Sequence, residues 1–147
     1  MEQTIKKLNY HFYGIIAVLA ILLILVLTGT ISFVADEYVS IVAERYSIGL
    51  TLIAIPVALK LFANIVNKEE NNTTIQKSIK TYQKASFIRL YIISVMAFAN
   101  IMLYAMSNNQ NFVWLSVALF VSFSFCRPSL AELQELAIKK EEETQDE

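Results

Sequence analysis

The sequence predicts an all-α integral membrane bundle of four transmembrane helices with a short C-terminal amphipathic helix. Three observations lead there. The 147 residues are 56% hydrophobic and 17% charged, where a soluble domain carries about 45–50% apolar and about 25% charged residues. The apolar residues fall in blocks, and a helix needs roughly 20 of them to cross the hydrocarbon core of a bilayer. The cations also segregate. If four spans alternate, Lys6, Lys7, Lys60, Lys68, Lys77, Lys80, Lys84, Arg89, Arg127, Lys139 and Lys140 share one side, which leaves only Arg45 of the 12 Lys and Arg residues on the other. Asp36, Glu37 and Glu44 accompany Arg45, and the remaining loop on that side is the uncharged "SNNQN". The positive-inside rule then puts both termini in the cytoplasm.

The first span is expected over residues 12–35, "FYGIIAVLAILLILVLTGTISFVA", which carries no charge and is about 36 Å long as a helix. Lys6 and Lys7 precede it in the manner of a secretory signal. A signal's apolar core is only about 7–15 residues, so an uncleaved helix is expected. The second and third spans are expected over residues 46–66 and 87–106. The fourth, residues 112–126, reaches only about 22 Å. It must borrow flanking residues, thin the bilayer or shelter among neighbours.

Between the spans, "ADEYVSIVAERY" sets Val34, Tyr38, Ile41, Val42 and Tyr46 on one helical face, as an interfacial turn or a helical extension would. "TTIQKSIKTYQKAS" opens with Thr73 and Gln76 at capping-box spacing and repeats Ile75, Ile79 and Tyr82 before running into the third span. After the fourth span, Ser129 and Glu132 of "RPSLAELQELAIKK" form a second capping-box signature, and Leu130, Leu133, Leu136 and Ala137 share a face. That predicts an amphipathic helix over residues 130–140, lying on the membrane or on a partner. Residues 1–140 thus form one membrane domain, and the acidic tail of residues 141–147 is expected to be disordered. Tyr10, Phe12, Tyr13, Tyr46, Tyr104 and Trp114 suit the two interfaces. The sequons at Asn71 and Asn72 would face the cytoplasm unglycosylated.

Few residues inside the spans carry chemistry. Lys60 of "IAIPVALKLFANIV" lies about 9 Å inside the cytoplasmic end of its helix. Asn64 and Asn67 follow at helical spacing, and Pro56, one turn earlier, frees a carbonyl that lipid cannot hydrate. Lys60 therefore either snorkels to the headgroups or faces a polar crevice between helices. The spans hold no Asp or Glu, so a buried Lys60 would meet an anionic ligand or lipid headgroup. In the third span Arg89, Ile93, Met96, Asn100 and Tyr104 form a stripe. Asn100 there is a helix-packing contact or a ligand contact, and Arg89 a phosphate anchor. Lys60, Lys84, Arg89 and Arg127 could form a basic rim for anionic lipid. The candidate contacts are Lys60, Asn64, Arg89, Asn100 and Arg127.

Other chemistries lack their residues. The single cysteine, Cys126, cannot form a dithiol couple, and the single histidine, His11, cannot supply bis-histidine haem ligation. A net charge of −1 gives no field for nucleic acid. No Ser-His-Asp set, glycine-rich phosphate loop or paired intramembrane carboxylates can be assembled. The expectation is a non-catalytic protein without cofactor, an accessory or assembly subunit that associates with lipid and with other membrane subunits or with itself. The alternative is a small homo-oligomeric transporter or channel for an anionic ligand or lipid. The segments "IPVALKLF" and "CRPSLAELQEL", together with the span layout, resemble those of small uncharacterised four-span membrane proteins of Bacteroidetes-type bacteria. That resemblance implies a bacterial cytoplasmic-membrane location and supplies no activity.

Overall fold

The computed structural model describes residues 2–31, 33, 41–68 and 74–145. Among these the chain forms five helices and no strand: α1 (Glu2–Leu27), α2 (Ile41–Lys68), α3 (Ile75–Ser107), α4 (Gln110–Phe125) and α5 (Leu130–Gln145). Helices α1, α2 and α3 are long and apolar enough to cross a membrane; α4 and α5 together make a further candidate, bent by 48° at the break between them. These helices suit a membrane-embedded protein.

Helix α1 departs from its expected bounds at both ends. It takes Lys6 and Lys7 into its first turns and stops at Leu27, short of residue 35. The stop is a Schellman motif: Thr30 N–H donates to the Leu25 carbonyl at 3.1 Å and Gly29 N–H to the Val26 carbonyl at 3.1 Å. Gly29 has φ +72°, a left-handed conformation in which a side chain would be strained. The Thr28 hydroxyl also donates to the Leu25 carbonyl. The uncharged part of α1, residues 8–27, is about 30 Å long, close to the hydrocarbon thickness of roughly 30 Å.

Val34 and Tyr38 lie outside the described residues, as do Asn71, Asn72 and Thr73. Helix α2 takes in the stretch expected to span and runs on through Pro56. Helix α3 has 33 residues, about 50 Å, so its polar first turns continue directly into the apolar stretch. Its N-cap is Thr74, without a side-chain bond, one residue after the expected Thr73. The α3–α4 link is a tight hairpin. Asn108 adopts the left-handed conformation at φ 53°, and the Asn109 side chain accepts the Asn111 N–H at 3.0 Å. The Asn111 amide in turn donates to the Glu44 carboxylate at the start of α2.

Helix α3 is the central one, packing against α1, α2, α4 and α5. It buries 39% of its most apolar window, against 11% for α2. One core cluster gathers Phe12, Leu19, Leu90, Ile93, Ala97, Leu119 and Phe123. A second lies beyond it at the end holding the α1 N-terminus: Ile5, Leu8, Tyr82 and Leu133, with Phe62, Ile79, Leu130 and Leu136 against them. Helix α5 thus folds back onto its own chain, where the sequence had suggested the membrane or a partner. It also continues to Gln145, past residue 140 where a disordered tail was expected. Glu, Gln and Lys are good helix formers, and the docked Leu face anchors the first turns.

Candidate functional site

The polar side chains inside the bundle collect at two levels. The deeper is Asn100, 0% exposed. Its carbonyl oxygen accepts the Ser47 hydroxyl at 2.7 Å, and its amide donates to the Thr51 hydroxyl at 2.9 Å. Ser47 and Thr51 are one turn apart on α2, so a single amide ties two turns of that helix to α3. An amide in an apolar layer must find such partners. Nearby serines satisfy themselves differently: Ser94, Ser107 and Ser116 each donate to the carbonyl four residues back.

The second level is a junction of four helices around Tyr82 and Arg89. Arg89 is 4% exposed. It donates one Nη to the Cys126 carbonyl at 2.9 Å, and its guanidinium carbon stands 4.0 Å from the centroid of the Phe62 ring. Cys126 closes α4, where the helix exposes unpaired carbonyls and the negative end of its dipole, so a cation is favoured there. The ring on α2 supplies a second, electrostatic contact. The Nε of Arg89 is buried without a hydrogen-bond partner.

Tyr82 opens the expected capping box of α5. In such a box the glutamate reaches back to the N-cap N–H. Here the Tyr82 hydroxyl stands between them, accepting the Ser129 N–H at 3.4 Å and donating to the Glu132 carboxylate at 2.8 Å. One hydroxyl from α3 therefore replaces the local contact and sets the start of α5. Tyr82 lies in the Lys-rich first turns of α3, ahead of the apolar stretch. Burial, and then the hydrogen bond to Glu132, push its hydroxyl up to about 12. It remains a donor throughout the physiological range.

The structure does not bring the five candidate contacts together. Arg89 and Asn100 are inside, each with partners in the chain. Lys60 and Asn64 are exposed on α2. Arg127 is exposed at the α4–α5 break, its guanidinium 5.8 Å from the centroid of the Tyr13 ring. Lys84 is exposed on α3, so no single basic rim forms with Arg89 in it. Tyr82, Glu132, Ser47 and Thr51 were not singled out by the sequence as a site. Tyr82 was visible only as one apolar position of a repeat, and its partner lies 50 residues away. Among the described residues no group of His, Cys, Asp and Glu could hold a metal ion. No family model, curated protein or solved structure matches this chain.

Proposed function

We propose that the chain is a four-span accessory or assembly subunit of a bacterial cytoplasmic-membrane complex, non-catalytic, with both termini in the cytoplasm. In this reading α4 crosses alone. Its 16 residues cover about 24 Å, and α3 shelters its short length. Helix α5 stays in the cytoplasm, because Glu132, Glu135 and Lys139 on it would be costly in hydrocarbon.

The observation that supports this role most directly is where the polar groups of the bundle go. Asn100, Ser47, Thr51, Arg89 and Tyr82 all bond within the chain and hold helices to one another. A protein built this way is a scaffold whose outward faces remain for other molecules. The least covered is α2, where only Thr51 and Ala58 are buried and where Lys60 and Asn64 face outward. The test is a mild-detergent pull-down of tagged protein from its native membrane, sized by native mass spectrometry. A stoichiometric foreign subunit supports the proposal. A pure homo-oligomer overturns it in favour of transport, and Lys60 would then be tested first in reconstituted flux.

A further inference from the structure

The two sides of α2 differ in what covers them. One looks at α3: Ser47 and Thr51 bond to Asn100, Ala58 is buried, and the Phe62 ring meets Tyr82 and Arg89. The other carries Arg45, Pro56, Lys60, Asn64 and Asn67, all exposed. At about 100° per residue these five fall within an arc of about 100°, diametrically opposite the α3 face. Lys60 lies about 9 Å inside the end of the apolar run, with Asn64 one turn on. Pro56 has no N–H to give the carbonyl of Leu52, which is itself exposed, and lipid cannot supply that donor. A lysine that only snorkels needs neither the amide nor the proline on its side of the helix. Further along the same face, Gly49 opens a groove of about 470 Å³ with Val42, Arg45, Tyr46, Leu50 and Ile53. Nothing lies within 4 Å of where a Gly49 side chain would begin, so a second helix can approach the α2 backbone closely there.

We propose that this face seats a transmembrane helix of a foreign subunit, and that the helix carries an Asp or Glu at the height of Lys60. Charge selects this occupant. A lysine held within the membrane pairs with a carboxylate, and the apolar stretches of this chain contain none. A second copy therefore cannot supply the counter-charge; in a two-fold pairing of α2 with α2, Lys60 would approach Lys60. The face names the chemistry of the partner in the accessory-subunit reading, and it rests on that reading.

The experiment puts a benzophenone amino acid in place of Ile53 in the tagged full chain, photolyses it in the native membrane, and sequences what becomes attached. The expected adduct is a membrane-spanning segment of another subunit that contains an Asp or Glu. Lys60→Leu is expected to lower recovery of that subunit in the pull-down about tenfold or more, as when one member of a buried charge pair is truncated. Lys60→Arg should retain it. Lys60→Glu should lose it, and regain it once the carboxylate of the foreign helix is replaced by lysine. A foreign subunit recovered equally with Lys60→Leu overturns this proposal and leaves the accessory-subunit reading standing, whereas a pure homo-oligomer overturns both. Attachment only to a second copy, only to lipid, or to a segment without a carboxylate overturns it as well. Should Lys60→Leu fail to insert, the attached sequence decides alone.

Discussion

Replacing Asn100 with alanine should loosen α2 from α3, and the size of the effect can be worked from its contacts. The side chain makes two interhelical hydrogen bonds, from Ser47 at 2.7 Å and to Thr51 at 2.9 Å. Within membranes such contacts average about 0.6 kcal/mol and reach about 1.7 kcal/mol each, so the pair is worth about 1–3 kcal/mol. Two effects then oppose one another. The freed Ser47 and Thr51 hydroxyls can turn to carbonyls of their own helix, which lowers the cost. Removing a fully buried side chain leaves a void, which raises it. The expected net loss is about 2 kcal/mol, measured by reversible unfolding in mixed micelles. A double-mutant cycle with Thr51→Val isolates the bond and should give a coupling of about 0.6–1.7 kcal/mol. If Asn100→Ala unfolds like wild type, or the two changes simply add, Asn100 does not tie these helices. The ligand-contact reading would then regain ground.

Leu133 is 1% exposed in the junction that holds α5. Leu133→Ala should cost α5 docking about 2–5 kcal/mol, seen as faster hydrogen exchange across residues 130–139 with the spans unchanged; unaltered exchange there would mean that α5 is not held by this face. Lys60→Leu should insert normally, since the flanking cations suffice to orient α2. A variant that inserts normally but loses all activity in the cell would show that Lys60 does more than snorkel. Reporter fusions at Ser40 and Asn109 are expected to read outside, and fusions at Asn72 and after Glu147 to read inside. Any reversed site refutes the proposed topology.

The stripe Arg89, Ile93, Met96, Asn100 and Tyr104 was legible because helical periodicity is local. In the structure Arg89, Ile93 and Asn100 on that stripe are buried, with Met96 and Tyr104 packed against the core. The end of α1 was harder to read. "TGT" at residues 28–30 holds a helix-stop signal, but it sits inside an uninterrupted apolar run, and hydropathy outweighed it. Backbone geometry decided otherwise, through a positive φ at Gly29. The capping box of α5 was legible in form and altered in content. Ser129 and Glu132 were visible as a pair, while the Tyr82 hydroxyl that joins them comes from another helix.

What the sequence determined by itself is the class of object: an all-helical chain whose helices include apolar ones of membrane length. Those properties depend on composition and on neighbours three or four residues apart, which a linear chain displays openly. Only the tertiary structure decided that Arg89 lies inside rather than at a headgroup rim, and that Asn100 bonds to Ser47 and Thr51. It also decided that α5 returns to its own chain. Each of these depends on which helix faces which, and at what height. Apolar faces that are equally greasy all round do not encode that choice residue by residue. It emerges where polar side chains such as Asn100, Arg89 and Tyr82 find partners on other elements of the fold.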